Sequence, residues 1–219
     1  MRYQAVLYDM DGTVLDTLDD LADAVNHSLE QFGLPRVSRD HVRANLGNGA
    51  ANLVRQSVPA GSDEALVARL IAYYRDYYDA HCRIRTRPYD GILPLMERMR
   101  AAGVKQAIIS NKPDPAVREL AEHFFPGLLE TAVGESATVR RKPNPDAVLA
   151  AVEQMGLTRA DCVYVGDTEV DIQTGQNAGM DVIAVAWGFR DEDQLIAAGA
   201  KELVHDAEQL EKALRGSEN

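Results

Sequence analysis

The chain has little cysteine, no long apolar run and a deficit of basic residues, and each shortage excludes a class of protein. Its two cysteines, Cys82 and Cys162, are far apart in a sequence of 219 residues. They form no CxxC pair and no disulfide framework. Cys162 heads the apolar run Val163–Val165 and reads as a core residue. No run approaches the roughly 20 apolar residues that a membrane-spanning helix needs. The start, Met1-Arg2-Tyr3-Gln4, leads into no long apolar stretch of the kind a secretory signal carries. A cytoplasmic protein with no membrane partner is therefore expected. Lysine and arginine number 23 against 34 acidic residues, for a net charge of −11 and an isoelectric point near 4.9. That balance argues against nucleic acid or an anionic lipid surface as a partner. No GxSxG elbow supports a serine nucleophile. The histidines His27, His41, His81, His123 and His205 show no metal-ligand spacing and are assigned no role.

What remains is an ordinary globular composition, 46% hydrophobic and 26% charged. The length suits one large domain or a medium domain with an insert. Ala5–Tyr8 is a short apolar run ended by Asp9 and a glycine turn, which reads as a buried strand. Ala107–Ile109, Val163–Val165 and Val182–Val185 look the same. Amphipathic helices fit Gly91–Ala102, Asp114–Phe124, Asn144–Met155 and Val170–Ala178. Strands alternating with helices point to βαβ units and a parallel sheet, with ligands at the carboxyl ends of its strands. Residues from about Thr17 to Arg83 break this rhythm. Leu18, Leu21, Val25, Leu29 and Phe32 recur at helical spacing, as do Leu66, Leu70, Tyr73 and Tyr77. Arg39–Ser57 is a further helical stretch interrupted at Gly47-Asn48-Gly49. The expected fold class is α/β: a doubly wound parallel sheet from residues 1–15 and 85–219, with an all-helical insert over 16–84. The polar tail Arg215–Asn219 is expected to be frayed.

Three of the expected strands end in polar clusters: Asp9-Met10-Asp11-Gly12-Thr13, Ser110-Asn111-Lys112, and Gly166-Asp167-Thr168-Glu169-Val170-Asp171. A fourth cluster, Arg140-Arg141-Lys142-Pro143, precedes a helix. One edge of a parallel sheet would gather them all. Crowded carboxylates raise one another's pKa unless a cation sits among them. A hard divalent ion such as Mg²⁺, which takes one or two carboxylates together with substrate phosphate, answers that need. Lysines suit phosphate as point charges, and a hydroxyl with backbone N–H groups near Ser110 completes a cradle. The chemistry implied is phosphoryl transfer.

The constellation, covering nearly the whole chain, resembles the haloacid dehalogenase superfamily, whose phosphatase members carry DxDGT, Ser/Thr, Lys and GDxxxD motifs in this order. The resemblance implies a Mg²⁺-dependent phosphatase acting on a small phosphorylated metabolite. By it Asp9 is the nucleophile, forming an aspartyl-phosphate, and Asp11 the general acid and base. Asp9, the carbonyl of Asp11 and Asp167 hold Mg²⁺. Ser110, Asn111 and Lys142 bind the phosphoryl group. Asp171 orients Lys142 or a metal-bound water, and Gly12 and Thr13 support the turn after the nucleophile.

The helical insert resembles the mobile cap of one branch of that superfamily. Gly33-Leu34-Pro35 and Leu46-Gly47-Asn48-Gly49-Ala50, with Ser110-Asn111-Lys112-Pro113 and Trp187-Gly188-Phe189, are similar to phosphoglycolate phosphatases. This implies phosphoglycolate or a similarly small anionic ester, with Gly47, Asn48 and Gly49 as cap residues that set specificity. One of Arg36, Arg39, Arg43 and Arg55 could meet a substrate carboxylate; Tyr73, Tyr74, Tyr77 and Tyr78 read as helix-packing residues. Asp11 argues against a dehalogenase. A phosphonate hydrolase needs a cap lysine, and no lysine precedes Lys105. Pyrophosphate, nucleotides and sugar phosphates stay open as substrates, and so does a phosphomutase. A non-catalytic phosphate-binding protein would leave Asp9, Asp11, Lys142 and Asp167 together unexplained. Monomer and homodimer are both compatible with the sequence.

Overall fold

A computed structural model describes residues 1–216. The chain divides into two compact units, one of residues 1–15 with 88–219 and one of residues 16–87. In chain order it forms β1 (Ala5–Tyr8), β2 (Leu15–Asp16), α1 (Leu18–Gln31), α2 (Arg39–Ala44), α3 (Ala50–Ser57) and α4 (Glu64–His81). There follow β3 (Arg87–Pro88), α5 (Ile92–Ala101), β4 (Lys105–Pro113), α6 (Asp114–Phe124), β5 (Thr131–Glu135) and α7 (Asp146–Gln154). The last elements are β6 (Cys162–Gly166), α8 (Glu169–Ala178), β7 (Asp181–Val185), α9 (Glu192–Ala197), β8 (Leu203–Val204) and α10 (Ala207–Arg215). The two-residue strands β2 and β3 pair with each other.

The larger unit is built on a six-stranded sheet in the order β5-β4-β1-β6-β7-β8, parallel throughout. β1 lies at its centre, and all four of its residues are buried. A strand covered on both faces must be apolar at every position, which is why it reads as an unbroken run. Ala5 and Leu7 pack with Ala147, Val148, Ala151 and Val152 of α7. Successive strand residues face opposite sides, so Val6 and Tyr8 point the other way. There the Tyr8 hydroxyl donates to Gln106 Oε1 at 3.2 Å, and Gln106 Nε2 donates to the Met96 carbonyl of α5 at 2.9 Å. Helices thus flank the sheet on both sides. Cys162 is buried as expected.

The strands exceed the expected runs in places. β4 continues past Ile109 through Ser110, Asn111 and Lys112 to Pro113, with a register shift against β5 between Ile109 and Pro113. α7 begins at Asp146 rather than at Asn144, whose side chain accepts from the Asp146 N–H at 3.1 Å. Arg215 is not frayed: it closes α10, where Leu210 and Leu214 are buried, and pairs with Glu211 at 2.8 Å. Residues 217–219 of the expected frayed tail lie outside the described residues.

The smaller unit is helical. α1 packs on α4 and α2, and α3 packs on α4. Leu18, Leu21, Val25 and Leu29 form the buried face of α1. On α4 the buried stripe is Val67, Leu70, Tyr74 and Tyr78, one position round from the expected Leu66, Tyr73 and Tyr77. Tyr73 and Tyr77 sit at the edge and meet His27, whose ring stacks on Tyr77 at 3.9 Å and whose Nε2 lies 3.0 Å from the Tyr73 hydroxyl. His27 therefore has a packing role that spacing along the chain did not show. The helical stretch breaks at Gly47-Asn48-Gly49, with positive φ of 101° at Gly47 and 80° at Gly49, which begins α3 as its N-cap. Side chains other than glycine are strained there. Arg36, Arg39 and Arg55 pair within the unit, with Glu30, Asp19 and Glu64.

Candidate active site

The order of strands explains why the motifs converge. β4, β1 and β6 are neighbours, and their carboxyl ends carry Ser110, Asp9 and Asp167. The chain leaves β1 in one direction to β4 and β5, then crosses back to β6 on the other side. Such a reversal opens a crevice at the strand ends, where ligands of open α/β sheets bind.

Asp9, Asp167 and Asp171 each bring a carboxylate oxygen to within 4.8 Å of the others. All three are buried. One cation faces them: Lys142 Nζ lies 2.8 Å from Asp9 Oδ1 and 2.7 Å from Asp171 Oδ1. It also donates to the Tyr164 hydroxyl at 3.1 Å. Burial alone would lower the Lys142 pKa, but Asp171 and Asp9 outweigh it and hold the ammonium well above its usual value. Burial, with Asp171 beside it, pushes the Asp9 carboxyl up to about 7 against the pull of Lys142. Burial, Asp171 and Asp9 likewise raise Asp167 well above the carboxylate range.

Each carboxylate is held by local structure. Asp9 Oδ1 accepts the Met10 N–H at 2.7 Å. Asp167 Oδ1 accepts from the Thr13 hydroxyl at 3.0 Å, and Oδ2 from the Phe189 N–H at 2.7 Å. Asp171 caps α8: Oδ2 accepts from the Thr168 hydroxyl at 2.6 Å and from its N–H at 3.1 Å, which leaves Oδ1 aimed at Lys142. Asn111 forms a reciprocal clasp on the Lys142 backbone. Its Nδ2 donates to the Lys142 carbonyl at 3.0 Å, and its Oδ1 accepts the Lys142 N–H at 2.7 Å. The amide expected on the phosphate is thus turned to the lysine's own main chain. Ser110 is buried, and its Oγ accepts the Lys112 N–H at 3.2 Å. Asp11 stands half-buried at the end of the same turn, with Lys112 Nζ at 3.2 Å from its Oδ1.

Glycines make this density of oxygen possible. A Cβ on Gly12, where φ is 86°, would lie 2.3 Å from Asp167 Oδ2. One on Gly166 would lie 2.2 Å from the Asp171 Cβ. One on Gly188 would meet Asp167 and the Gly12 carbonyl, each at 2.4 Å. Gly188 belongs to a loop after β7 that the motif reading did not place at the site. There Trp187 Nε1 donates to the Thr13 carbonyl at 3.0 Å, and Arg190 holds Glu169 through Nε and Nη2 at 2.6 and 3.0 Å. Gly188→Ala should cost about 1–3 kcal/mol, the usual penalty of overpacking, because backbone stands in the way. Urea denaturation of the purified variant measures it, and an unchanged midpoint would show that the loop yields.

Of the expected site residues, Asp9, Gly12, Thr13, Asn111, Lys142, Asp167 and Asp171 form one connected set. Asp11 and Ser110 adjoin it through Lys112. Gly47, Asn48 and Gly49 belong to the helical unit. Missed were Tyr164, which looked like any apolar-strand residue, and the Trp187–Arg190 loop, whose contacts are all distant in sequence.

The sheet topology and the acidic cluster around one lysine are matched by what this chain is similar to. Residues 6–185 match the family described as haloacid dehalogenase-like hydrolase. A curated relative is the N-acetylmuramic acid 6-phosphate phosphatase of Pseudomonas aeruginosa, 32% identical over 96% of this chain and 94% of that protein. Another is the phosphoglycolate phosphatase of Xanthomonas campestris pv. campestris, 32% identical over 89% of this chain and 90% of that one. A solved structure of a provisionally named phosphoglycolate phosphatase from Lactobacillus delbrueckii subsp. bulgaricus superposes with a TM-score of 0.93 at 39% identity, covering 98% of this chain and 99% of that chain. The chain belongs to the haloacid dehalogenase-like hydrolases, and within them it is a phosphatase, a phosphoric monoester hydrolase. No described helix is long and apolar enough to cross a membrane.

Proposed function

We propose that this phosphatase hydrolyses phosphoglycolate, in the cytoplasm, through an aspartyl-phosphate on Asp9 and with Mg²⁺ as its metal. The observation that carries the chemistry is the buried set of Asp9, Asp167 and Asp171 around the single ammonium of Lys142. A donor set made only of carboxylate oxygens, with more negative charge than one lysine offsets, fits a hard divalent cation. Asp9 and Asp167, with the carbonyl of Asp11, would hold it, since both oxygens of Asp171 are engaged by Lys142 and Thr168. When bound, the ion would neutralise charge on the transferring phosphoryl group.

An Asp9 oxygen attacks phosphorus, forming a new P–O bond as the ester P–O bond breaks. Asp11 gives its proton to the departing alkoxide, so the alcohol leaves neutral. Water then attacks the phosphorus of the aspartyl-phosphate. Asp11, now a carboxylate, takes the water's proton, the bond to Asp9 breaks, and inorganic phosphate is released. Lys142 and the Ser110 hydroxyl stabilise charge on the phosphoryl oxygens. Asn111 holds the Lys142 backbone, and Asp171 fixes the direction of its ammonium; both are positioning residues. We assign the helical unit the role of specificity element, or cap, with Gly47-Asn48-Gly49 offering backbone N–H groups to the substrate.

The assignment of phosphoglycolate rests on the names of relatives. N-acetylmuramic acid 6-phosphate is a second reading, favoured by the Pseudomonas aeruginosa relative. Both are phosphate esters of acids. The deciding experiment measures kcat/KM for phosphate release with Mg²⁺ over these two esters, other sugar phosphates, nucleotides, pyrophosphate and an aryl phosphate. A preference of at least about tenfold, roughly 1.4 kcal/mol, for phosphoglycolate is the expected result. A flat profile removes the substrate assignment.

The metal has a test independent of turnover. In the native protein Asp9 keeps its proton to about pH 7, whereas the unfolded chain loses it near pH 4. Between those values the native state binds more protons, so the stability of the metal-free protein falls as pH rises. Mg²⁺ should therefore raise the melting temperature more at about pH 8 than at about pH 5, where protons occupy the carboxylates. Equal shifts at both pH values would place the ion elsewhere.

A further inference from the structure

We infer that the Tyr164 hydroxyl is a positioning group for Lys142 that the phosphoryl group displaces: it fills the third hydrogen-bonding direction of the ammonium in the free enzyme, and so loosens the hold on phosphate. The inference rests on the reading of Lys142 as the lysine that meets the phosphoryl oxygens, and names what competes for it. Tyr164 lies on β6 opposite Leu7 of β1. It is fully buried and belongs to the apolar layer of Leu7, Val148 and Ala151, so its ring is anchored in the core while its oxygen reaches the polar cluster. An ammonium carries three N–H donors and no acceptor. Lys142 Nζ directs one at Asp9 Oδ1, 2.8 Å away, and one at Asp171 Oδ1, 2.7 Å away. The third goes to the Tyr164 oxygen at 3.1 Å, the longest of the three contacts and the one to a neutral acceptor. The lysine side chain is 3% exposed, so water is a poor substitute, and a buried donor left over would be costly. The hydroxyl meets that need without adding charge.

A phosphoryl oxygen that accepts from Lys142 must therefore replace one of these acceptors. Asp9 and Asp171 are buried carboxylates, and parting either from the ammonium leaves a charge uncompensated. Tyr164 differs. Its hydroxyl donates to the Ile109 carbonyl at 3.2 Å, with Asp171 Oδ1 as a second acceptor at 3.4 Å. Losing Lys142 leaves that hydrogen paired, so the neutral acceptor is the one that yields. The exchange takes place when the ester binds and is reversed when inorganic phosphate departs. Its cost falls on the bound ground state and the transition state alike, which lowers affinity without changing the chemical step.

Titration calorimetry with inorganic phosphate in the presence of Mg²⁺ compares wild type with Tyr164→Phe, which removes one oxygen and keeps the ring. The variant should bind phosphate about tenfold more tightly, the lower end of what a hydrogen bond to a charged group contributes. Inorganic phosphate should inhibit turnover at a correspondingly lower concentration, and KM for the best ester of the substrate panel should fall while kcat does not rise. A hydroxyl that serves only to hold Lys142 in place gives the opposite pattern, since its loss weakens phosphate binding and lowers kcat. Tightening of less than about threefold, or any weakening, overturns the inference. Lys142→Met separates it from the reading beneath it. If that variant binds phosphate as well as wild type does, Lys142 does not meet the phosphoryl group and both fall. If it loses phosphate while Tyr164→Phe gains none, the inference falls alone. Should Lys142→Met not fold, Lys142→Gln carries the same comparison.

Discussion

Asp9→Asn should abolish turnover and yet give a metal-free protein that melts higher than wild type at about pH 8. Removal of a covalent nucleophile costs at least about 10⁴-fold in kcat, because no neighbouring group can take its place: Asp171 is spent on Lys142 and on the cap of α8. The rise in stability follows from the same geometry. Burial and Asp171 push the Asp9 carboxyl to about 7, more than Lys142 pulls it down. The folded state therefore pays on the order of a few kcal/mol to hold the ionised form above that pH. Asparagine keeps an oxygen for the Met10 N–H and removes the charge, while Lys142 retains Asp171 and Tyr164. The advantage should vanish at about pH 5, where wild-type Asp9 is protonated, and should shrink when Mg²⁺ is added to wild type. Phosphate release and thermal melts at the two pH values check it. Full activity in the variant would remove Asp9 as nucleophile; a lower melting temperature at about pH 8 would show that the attraction of Lys142 outweighs burial.

The parts of this molecule that were legible in its sequence are those where one physical demand acts on neighbouring residues. β1 is buried on both faces, so its four residues are all apolar and the strand is visible without an alignment. The break at Gly47-Asn48-Gly49 was visible because positive φ calls for glycine. Asp9, Lys142, Asp167 and Asp171 were legible through a resemblance of motifs and not through spacing alone. The illegible parts depend on partners far along the chain. β5 is a half-buried edge strand with a glycine in it, and its pattern shows no apolar run. Asn111 looked like a phosphate ligand, while its clasp on Lys142 depends on how β4 and the loop before α7 meet. Gly188 carries no conformational signature, since its need is steric and comes from Asp167 and Gly12. The α10 pattern of Ala207, Leu210 and Leu214 was present at helical spacing and passed over.

Lys142→Met tests the other half of the electrostatic account, and its effect on stability should be the largest of any substitution in the site. Among the described residues, the lysine is the cation that pairs with this group of three buried carboxylates, through Asp9 and Asp171. Breaking a buried pair by removing one partner typically costs about 3–5 kcal/mol, because the charge left behind is uncompensated. Methionine fills much of the same volume, so packing contributes little to the loss. The cost should depend on pH in a direction the site dictates. Lys142 itself stays charged across the accessible range, since its pKa is held above the usual lysine value, and its contribution fades only as pH rises beyond that. The carboxyls change instead: Asp9 takes up a proton below about 7, and burial with Asp171 and Asp9 beside it also holds Asp167 well above its ordinary carboxylate value. Urea denaturation without metal should therefore show the full deficit at about pH 8 and a much smaller one at about pH 5. A surface ion pair also loses its deficit in acid, but there acid weakens the wild type and leaves the variant alone, whereas here acid should strengthen the variant. Mg²⁺ should recover part of the stability at about pH 8 by supplying positive charge to the same oxygens, but it cannot restore catalysis if Lys142 is the group that meets the phosphoryl oxygens. A variant stabilised by Mg²⁺ and still inactive would separate the two cations of the site: one needed to hold it together, the other to make it work.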